Sequence, residues 1–213
     1  MLKKNNERKF LIALGIFILS YGIFAIIYSI YSSHSSRLFW VCYIGMILIG
    51  MGSLTKNSKL VRIQLNILVI PLLIWVTDFF STLILKRSPF GVTGYFFKNM
   101  TILARVISLE HFFLIPLAFI IYLLVNKNKK KESSLEIITA SLVQLFIILI
   151  ISRILTSPFE NINCVFQSCI SFIPTNTFYP LVIVFLATFT VLTGNILISF
   201  LLSLYSRFGM NKI

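Results

Sequence analysis

Six apolar runs, most of them long enough to cross a bilayer, constrain this chain more than any other feature. They cover about Phe10–Tyr31, Leu38–Leu54, Ile63–Leu85, Thr101–Val125, Leu135–Leu155 and Pro180–Leu204, each bounded by polar or turn residues. A hydrocarbon core of about 30 Å asks a helix for roughly 20 consecutive apolar residues. The sequence therefore predicts an all-α fold: a transmembrane bundle of six helices forming one integral membrane domain over residues 1–213. The second run is short for a span, and Phe39 and Trp40 at its start have the character of interfacial anchors. A basic segment precedes the first run, as in a signal peptide. The run is too long for an h-region and no small-x-small cleavage site follows, so it reads as a retained span.

Composition agrees, with 58% hydrophobic and 12% charged residues against about 25% charged in soluble domains. Disordered, collagen-like, coiled-coil and disulfide-dense secreted classes are excluded on the same ground. A net charge of +13 in a soluble protein would suggest nucleic acid as partner. Here 13 of the 19 basic residues sit in four stretches: Lys3, Lys4, Arg8, Lys9; Lys56, Lys59, Arg62; Lys127, Lys129, Lys130, Lys131; and Arg207, Lys212. Those stretches alternate with basic-poor loops, which is the positive-inside pattern of a multi-pass protein in contact with anionic headgroups. The expected partners are membrane lipids rather than nucleic acid. The expected location is the cell membrane, with both termini cytoplasmic and loops Ser32–Arg37, Lys86–Met100 and Thr156–Tyr179 outside.

Ionisable side chains inside spans are costly and mark functional sites by default. Asp78, Arg105, Glu110 and His111 qualify, with Arg153 at a span boundary, all toward the outer half of the membrane. At about 100° per residue, Thr101, Arg105, Ser108 and His111 share one face of the fourth span, while Glu110 points to the opposite one. Asp78 shares a face of the third span with Gln64, Pro71, Ser81 and Thr82. Two polar faces at similar depth are expected to meet, as an Asp78–Arg105 or Asp78–His111 pair. That pair is either a structural lock between helices or part of a solvated cavity with a working His111. Glu110 reads as a helix contact rather than a catalytic acid.

The loop Ser157–Cys169, SPFENINCVFQSC, carries Glu160, Asn161, Asn163 and Gln167 beside an apolar membrane. Cys164 and Cys169 in that loop are either bridged or free thiols; their spacing with no nearby His argues against zinc. Cys42 reads as packing within a span. Only His34 and His111 exist, so a metal site would need carboxylates and thiols to complete it. No metal and no cofactor is expected, and no P-loop, dinucleotide fingerprint or nucleophile–base motif is present.

Two stretches carry a resemblance. WVTDFFSTLILKRSPFGVTGYFF with ARVISLEHFFLIPL, followed by TSPFENINCVFQSC, resembles a family of bacterial polytopic membrane proteins of uncharacterised activity. That family shows W-x-x-D, a Gly-containing loop ending Tyr-x-Phe, R-x-x-S-L-x-H-x-x-x-P and P-x-x-N-I-N-W-V-F-G. The matching residues are Trp75, Asp78, Gly94, Tyr95, Phe97, Arg105, Ser108, His111, Pro116, Pro158, Asn161, Asn163, Val165 and Phe166, under half the chain. Cys164 stands where the family has Trp and Gln167 where it has Gly. The departure at Cys164 favours a local disulfide with Cys169 over a nucleophile. The resemblance implies no activity, but it selects the residues chosen by helical geometry and leaves Glu110 aside.

The preferred functional expectation is an outward-facing site for a lipid headgroup or small polar molecule, acting by hydrolysis or transfer. Arg105 and Arg153 would hold an anionic group, Ser108, Asn161 and Asn163 would add binding contacts, and Asp78 would orient His111 as catalytic base or acid. A small transporter and a non-catalytic assembly subunit are the competing readings, the former weakened by the lack of inverted repeats.

Overall fold

The computed structural model describes residues 2–98, 100–127 and 132–208. Lys129, Lys130, Lys131 and Lys212, which the charge argument used, lie outside them. Among the described residues the chain is all-helical: α1 Leu2–Tyr31, α2 Val41–Leu54, α3 Ser58–Leu85, α4 Ile102–Ser108, α5 Glu110–Asn126, α6 Ser134–Leu155 and α7 Tyr179–Arg207. Short 3-10 turns occupy Ser35–Phe39 and Ile162–Cys164. Taking α4 and α5 together, five helical segments are long and apolar enough to cross a membrane, and α2 is a shorter apolar helix of 14 residues. The apolar helical bundle fits a multi-pass integral membrane protein.

Helix α3 forms the centre and packs against α2, α5, α6 and α7. Its first half is buried on nearly every side, from Val61 to Val69, and Pro71 follows at an exposed position in mid-helix. Large apolar side chains such as Phe17, Ile27, Phe185 and Phe200 remain exposed on α1 and α7, as a lipid-facing surface requires. Helices approach closely where side chains vanish. A Cβ at Gly194 of α7 would lie 2.5 Å from the Asn66 carbonyl oxygen on α3, and one at Gly50 of α2 would lie 2.9 Å from the Leu19 nitrogen on α1.

Ion pairs Lys59–Glu136 (2.5 Å) and Lys127–Glu7 (3.1 Å) gather the start of α1, the start of α3, the end of α5 and the start of α6 at one end of the bundle. The 86–100 and 156–178 loops meet at the other end, where Ser171 N–H donates to the Phe90 carbonyl (2.9 Å). Tyr179, opening α7, donates to the Cys164 carbonyl (2.6 Å), while Asn195 and Ser199 further along accept from Arg62 near the start of α3. The first and last helices therefore have their outer termini at the basic end.

The fourth apolar run is the main departure from a plain six-helix reading. It is two helices, broken at Leu109. Leu109 N–H turns to the Val106 carbonyl (3.0 Å) and Phe112 N–H to the Leu109 carbonyl (3.0 Å), so bonds spanning three residues replace those spanning four. The Tyr21 hydroxyl of α1 also donates to the Val106 carbonyl, and the Ser108 carbonyl is released to a side chain.

Candidate functional site

The site is assembled by a loop that folds back into the bundle. Asp78 lies seven residues before the end of α3 at Leu85, about 10 Å along the axis. Its fully buried carboxylate accepts from Ser88 Oγ (2.7 Å), Phe90 N–H (2.8 Å), Thr93 N–H (2.9 Å) and Thr93 Oγ (2.7 Å). Non-helical backbone at this depth is tolerable only when its polar groups are met by protein, and Asp78 meets them. Gly91, at φ +79, makes the turn that the returning loop needs. The expected pairing of Asp78 with Arg105 or His111 does not form; the oxygen lone pairs that would serve it are taken by the loop.

His111 is oriented by Glu110 instead. Its Nδ1 lies 3.0 Å from Glu110 Oε1 and 2.9 Å from the Ser108 carbonyl freed by the break. Consecutive residues do not face each other within a regular helix. Here Glu110 opens α5 after the break, and its carboxylate turns back to the adjacent ring rather than pointing away from it. The Glu110 side chain is 1% exposed, and its Oε2 has no hydrogen-bond partner. The imidazole stacks on Trp75 of α3, with centroids 4.3 Å apart and planes at 24°. Trp75 in turn donates to the Tyr95 hydroxyl (2.8 Å), which belongs to the folded-back loop. Phe79, Phe96 and Phe112 close the aromatic wall around it, with Phe79 5.1 Å from Phe96 and 5.0 Å from Phe112. From α2, Cys42 completes the cluster: its Sγ, a Glu110 oxygen and a His111 ring nitrogen all lie within 4.8 Å of one another.

The other expected binding residues are largely engaged in building the loop-bearing end. Ser108 contributes its carbonyl to His111 and its own side chain is buried. Arg105 is exposed and donates to the Lys98 carbonyl (3.1 Å), tying α4 to the end of the folded-back loop. Arg153 donates to the Val165 carbonyl (2.5 Å) and covers the Phe166 ring at 4.5 Å. Asn163 accepts from Val41 N–H (3.0 Å) and donates to the Phe39 carbonyl (2.8 Å) and Ser152 Oγ (2.9 Å), fastening the loop to the start of α2. Asn161 accepts from the N–H groups of Phe166 (3.0 Å) and Gln167 (3.1 Å). Both asparagines hold left-handed backbone, at φ 46 and 53, which Asn adopts more readily than most residues. Arg153, Asn161 and Asn163 are thus loop architecture and not free ligand contacts. Cys164 and Cys169 are disulfide-bonded, with Cα atoms 5.6 Å apart. Ser36 donates to Glu160 Oε1 from the first loop and holds that carboxyl below the usual carboxylate range.

Glu110, Cys42 and Tyr95 are the residues that helical periodicity missed as parts of a centre around His111. Glu110 lies away from exposed Arg105, on the buried side with Ile107 and Leu114, and was missed because its carboxylate turns back to the adjacent ring. Arg62 was counted with the basic stretches, yet it is 5% exposed within α3 and donates to Asn195 Oδ1 (3.3 Å) and Ser199 Oγ (2.9 Å). Asn195 also donates to Ser134 Oγ (2.8 Å), and Gln64 and Gln144 exchange side-chain hydrogen bonds at 2.8 and 2.9 Å. This second polar layer joins α3, α6 and α7 as a lock. No family model, no curated protein and no solved structure matches the chain.

Proposed function

We propose that the chain is a multi-pass protein of the cell membrane that handles a lipid headgroup or small polar molecule at a centre formed by His111 and Glu110. One observation carries this reading. His111 is pinned through Nδ1 by Glu110 and the Ser108 carbonyl and by stacking on Trp75, while its Nε2 makes no hydrogen bond among the described residues. A carboxylate–imidazole pair held in one orientation, with the second ring nitrogen open, is the arrangement of a general base. In a hydrolysis or transfer step Nε2 takes the proton of an attacking water or hydroxyl and returns it to the leaving oxygen. Glu110 stabilises the imidazolium between the two. Exposed Arg105 supplies positive charge toward an anionic group on the same helical run. The basic end, with both termini, is cytoplasmic by the positive-inside pattern, and the returning loop faces outward.

The test compares lipid and polar-metabolite profiles of a deletion strain complemented with wild type, His111→Ala or Glu110→Gln at equal membrane abundance. The reading expects the same accumulated species in the deletion strain and in both variants. A profile restored by His111→Ala would contradict it, and His111→Ala protein that fails to fold would assign the cluster to structure alone. Sidedness is checked with introduced thiols. Phe159→Cys, at a position 97% exposed, should react with an impermeant maleimide in intact cells, and Thr55→Cys only after permeabilisation.

A further inference from the structure

Cys42, Glu110 and His111 offer a thiol, a carboxylate and an imidazole from two helices, with their donor atoms all within 4.8 Å of one another. Donors around a tetrahedral zinc ion sit about 2.0–2.3 Å from the metal, which places them roughly 3.3–3.8 Å apart. Movements of about 1 Å in side chains bring this set to that geometry. The second observation is Glu110 Oε2, an acceptor on a side chain 1% exposed, with no hydrogen-bond partner. A buried carboxylate oxygen without a donor is costly, and a cation at this point satisfies it.

We propose that Cys42, Glu110 and His111 bind a zinc-class divalent cation. This rests on the placement of the Glu110–His111 pair as the working centre and names the cation that the centre holds. The charge arithmetic favours a divalent ion: a thiolate and a carboxylate, each −1, with a neutral imidazole, sum with +2 to zero. A neutral site is the form that a low-dielectric interior accepts at least cost. Binding releases the Cys42 proton to solvent and forms one bond each to sulfur, oxygen and nitrogen, with no change of oxidation state. With Nε2 as the ligand atom, the Ser108 carbonyl 2.9 Å from Nδ1 is the outer acceptor that fixes the ring. The mixed sulfur, nitrogen and oxygen set suits zinc rather than magnesium or calcium, which prefer oxygen alone. Three protein ligands leave a fourth position for water or a substrate oxygen, as in catalytic rather than structural zinc sites. In the metal-bound form Nε2 would be a ligand and no longer the proton acceptor, and a metal-held water would supply the nucleophile in its place.

The purified full chain in detergent is dialysed against limiting Zn²⁺, and bound metal is counted by mass spectrometry. One zinc per chain is expected in the wild type and in His34→Ala, with at least tenfold weaker retention in Cys42→Ser, Glu110→Gln and His111→Ala. Co²⁺ loading gives an independent readout. Cys42 is the one free thiol, because Cys164 and Cys169 are bridged. A sulfur-to-cobalt charge-transfer band in the wild type therefore has to come from it, whether or not any variant folds. Absence of stoichiometric zinc in the wild type, zinc retention equal in Cys42→Ser, or a cobalt spectrum without the sulfur band each overturns the proposal. Its failure is separable from failure of the general-base reading. Complementation by Cys42→Ser with loss by His111→Ala rejects the metal and keeps the base, whereas complementation by His111→Ala rejects the base.

Discussion

Replacing Asp78 tests whether its carboxylate builds the returning loop or serves His111. Asp78 Oδ1 accepts from Phe90 N–H, and Oδ2 accepts from Ser88 Oγ, Thr93 N–H and Thr93 Oγ. Asp78→Asn keeps the shape and exchanges one oxygen for an NH₂ group. With NH₂ in the Oδ2 place, the two hydroxyls can rotate to accept from it, but the Thr93 N–H cannot. With the amide flipped, the Phe90 N–H is the one left facing a donor. Either way one buried backbone donor is orphaned, costing about 1–3 kcal/mol. The surviving bonds also lose their charge assistance, which roughly halves such bonds. A total near 2–4 kcal/mol follows for Asn. Asp78→Ala orphans two backbone N–H groups and two hydroxyls; allowing for some water entry, about 4–6 kcal/mol is expected. Thermal unfolding in detergent gives the stability order, and hydrogen–deuterium exchange locates the damage. The account requires Ala to be worse than Asn, with lost protection starting in residues 88–96. Equal stability of the two variants, or lost protection confined to α4 and α5 with the loop intact, would refute it.

Three further outcomes follow from other contacts. Gly194→Ala places a Cβ 2.5 Å from the Asn66 carbonyl, which a packed helix cannot withdraw, so a loss of about 1–3 kcal/mol in unfolding is expected. Gly94→Ala meets only the Gly91 carbonyl at 3.9 Å and should leave the unfolding midpoint unchanged. Glu160 has its folded pKa depressed, first by the Ser36 hydroxyl, so its contribution is present above the unfolded value of about 4.3 and is lost as pH falls through the folded value. Exchange protection of residues 157–161 should therefore drop as the pH falls below the unfolded carboxyl value in the wild type, and Glu160→Gln should abolish that pH dependence.

The apolar runs made the helices legible because length and hydropathy alone decide them. Boundaries shifted by up to eight residues, and one shift has a local cause: α3 begins at Ser58 because the Asn57 side chain accepts from Leu60 N–H (3.1 Å). Trp75, Tyr95, Ser108 and His111 stood among the residues matched by the resemblance, but nothing in their spacing singled them out as a connected set. Their partners were not legible either. Asp78 was read against a helix face because the loop Lys86–Met100 was taken as a solvent connection, although Pro89, Gly91 and Gly94 already mark it as tightly turned. Glu110 was lost because its carboxylate turns back onto the neighbouring His111 ring, a contact that helical periodicity does not show. Asn161 and Asn163 invite a binding role by type, yet their left-handed backbone and carbonyl partners make them corners of a loop. Such long-range hydrogen bonding is invisible to periodicity.

The account stands on Glu110, not Asp78, setting the state of His111. With two histidines in the chain, ¹⁵N-histidine NMR reads that state directly, and His34→Ala assigns the signals. The account predicts a His111 ring bearing its proton on Nδ1, strongly displaced by Glu110→Gln and unmoved by Asp78→Asn in the folded protein. A ring that responds to Asp78→Asn and ignores Glu110→Gln would contradict it.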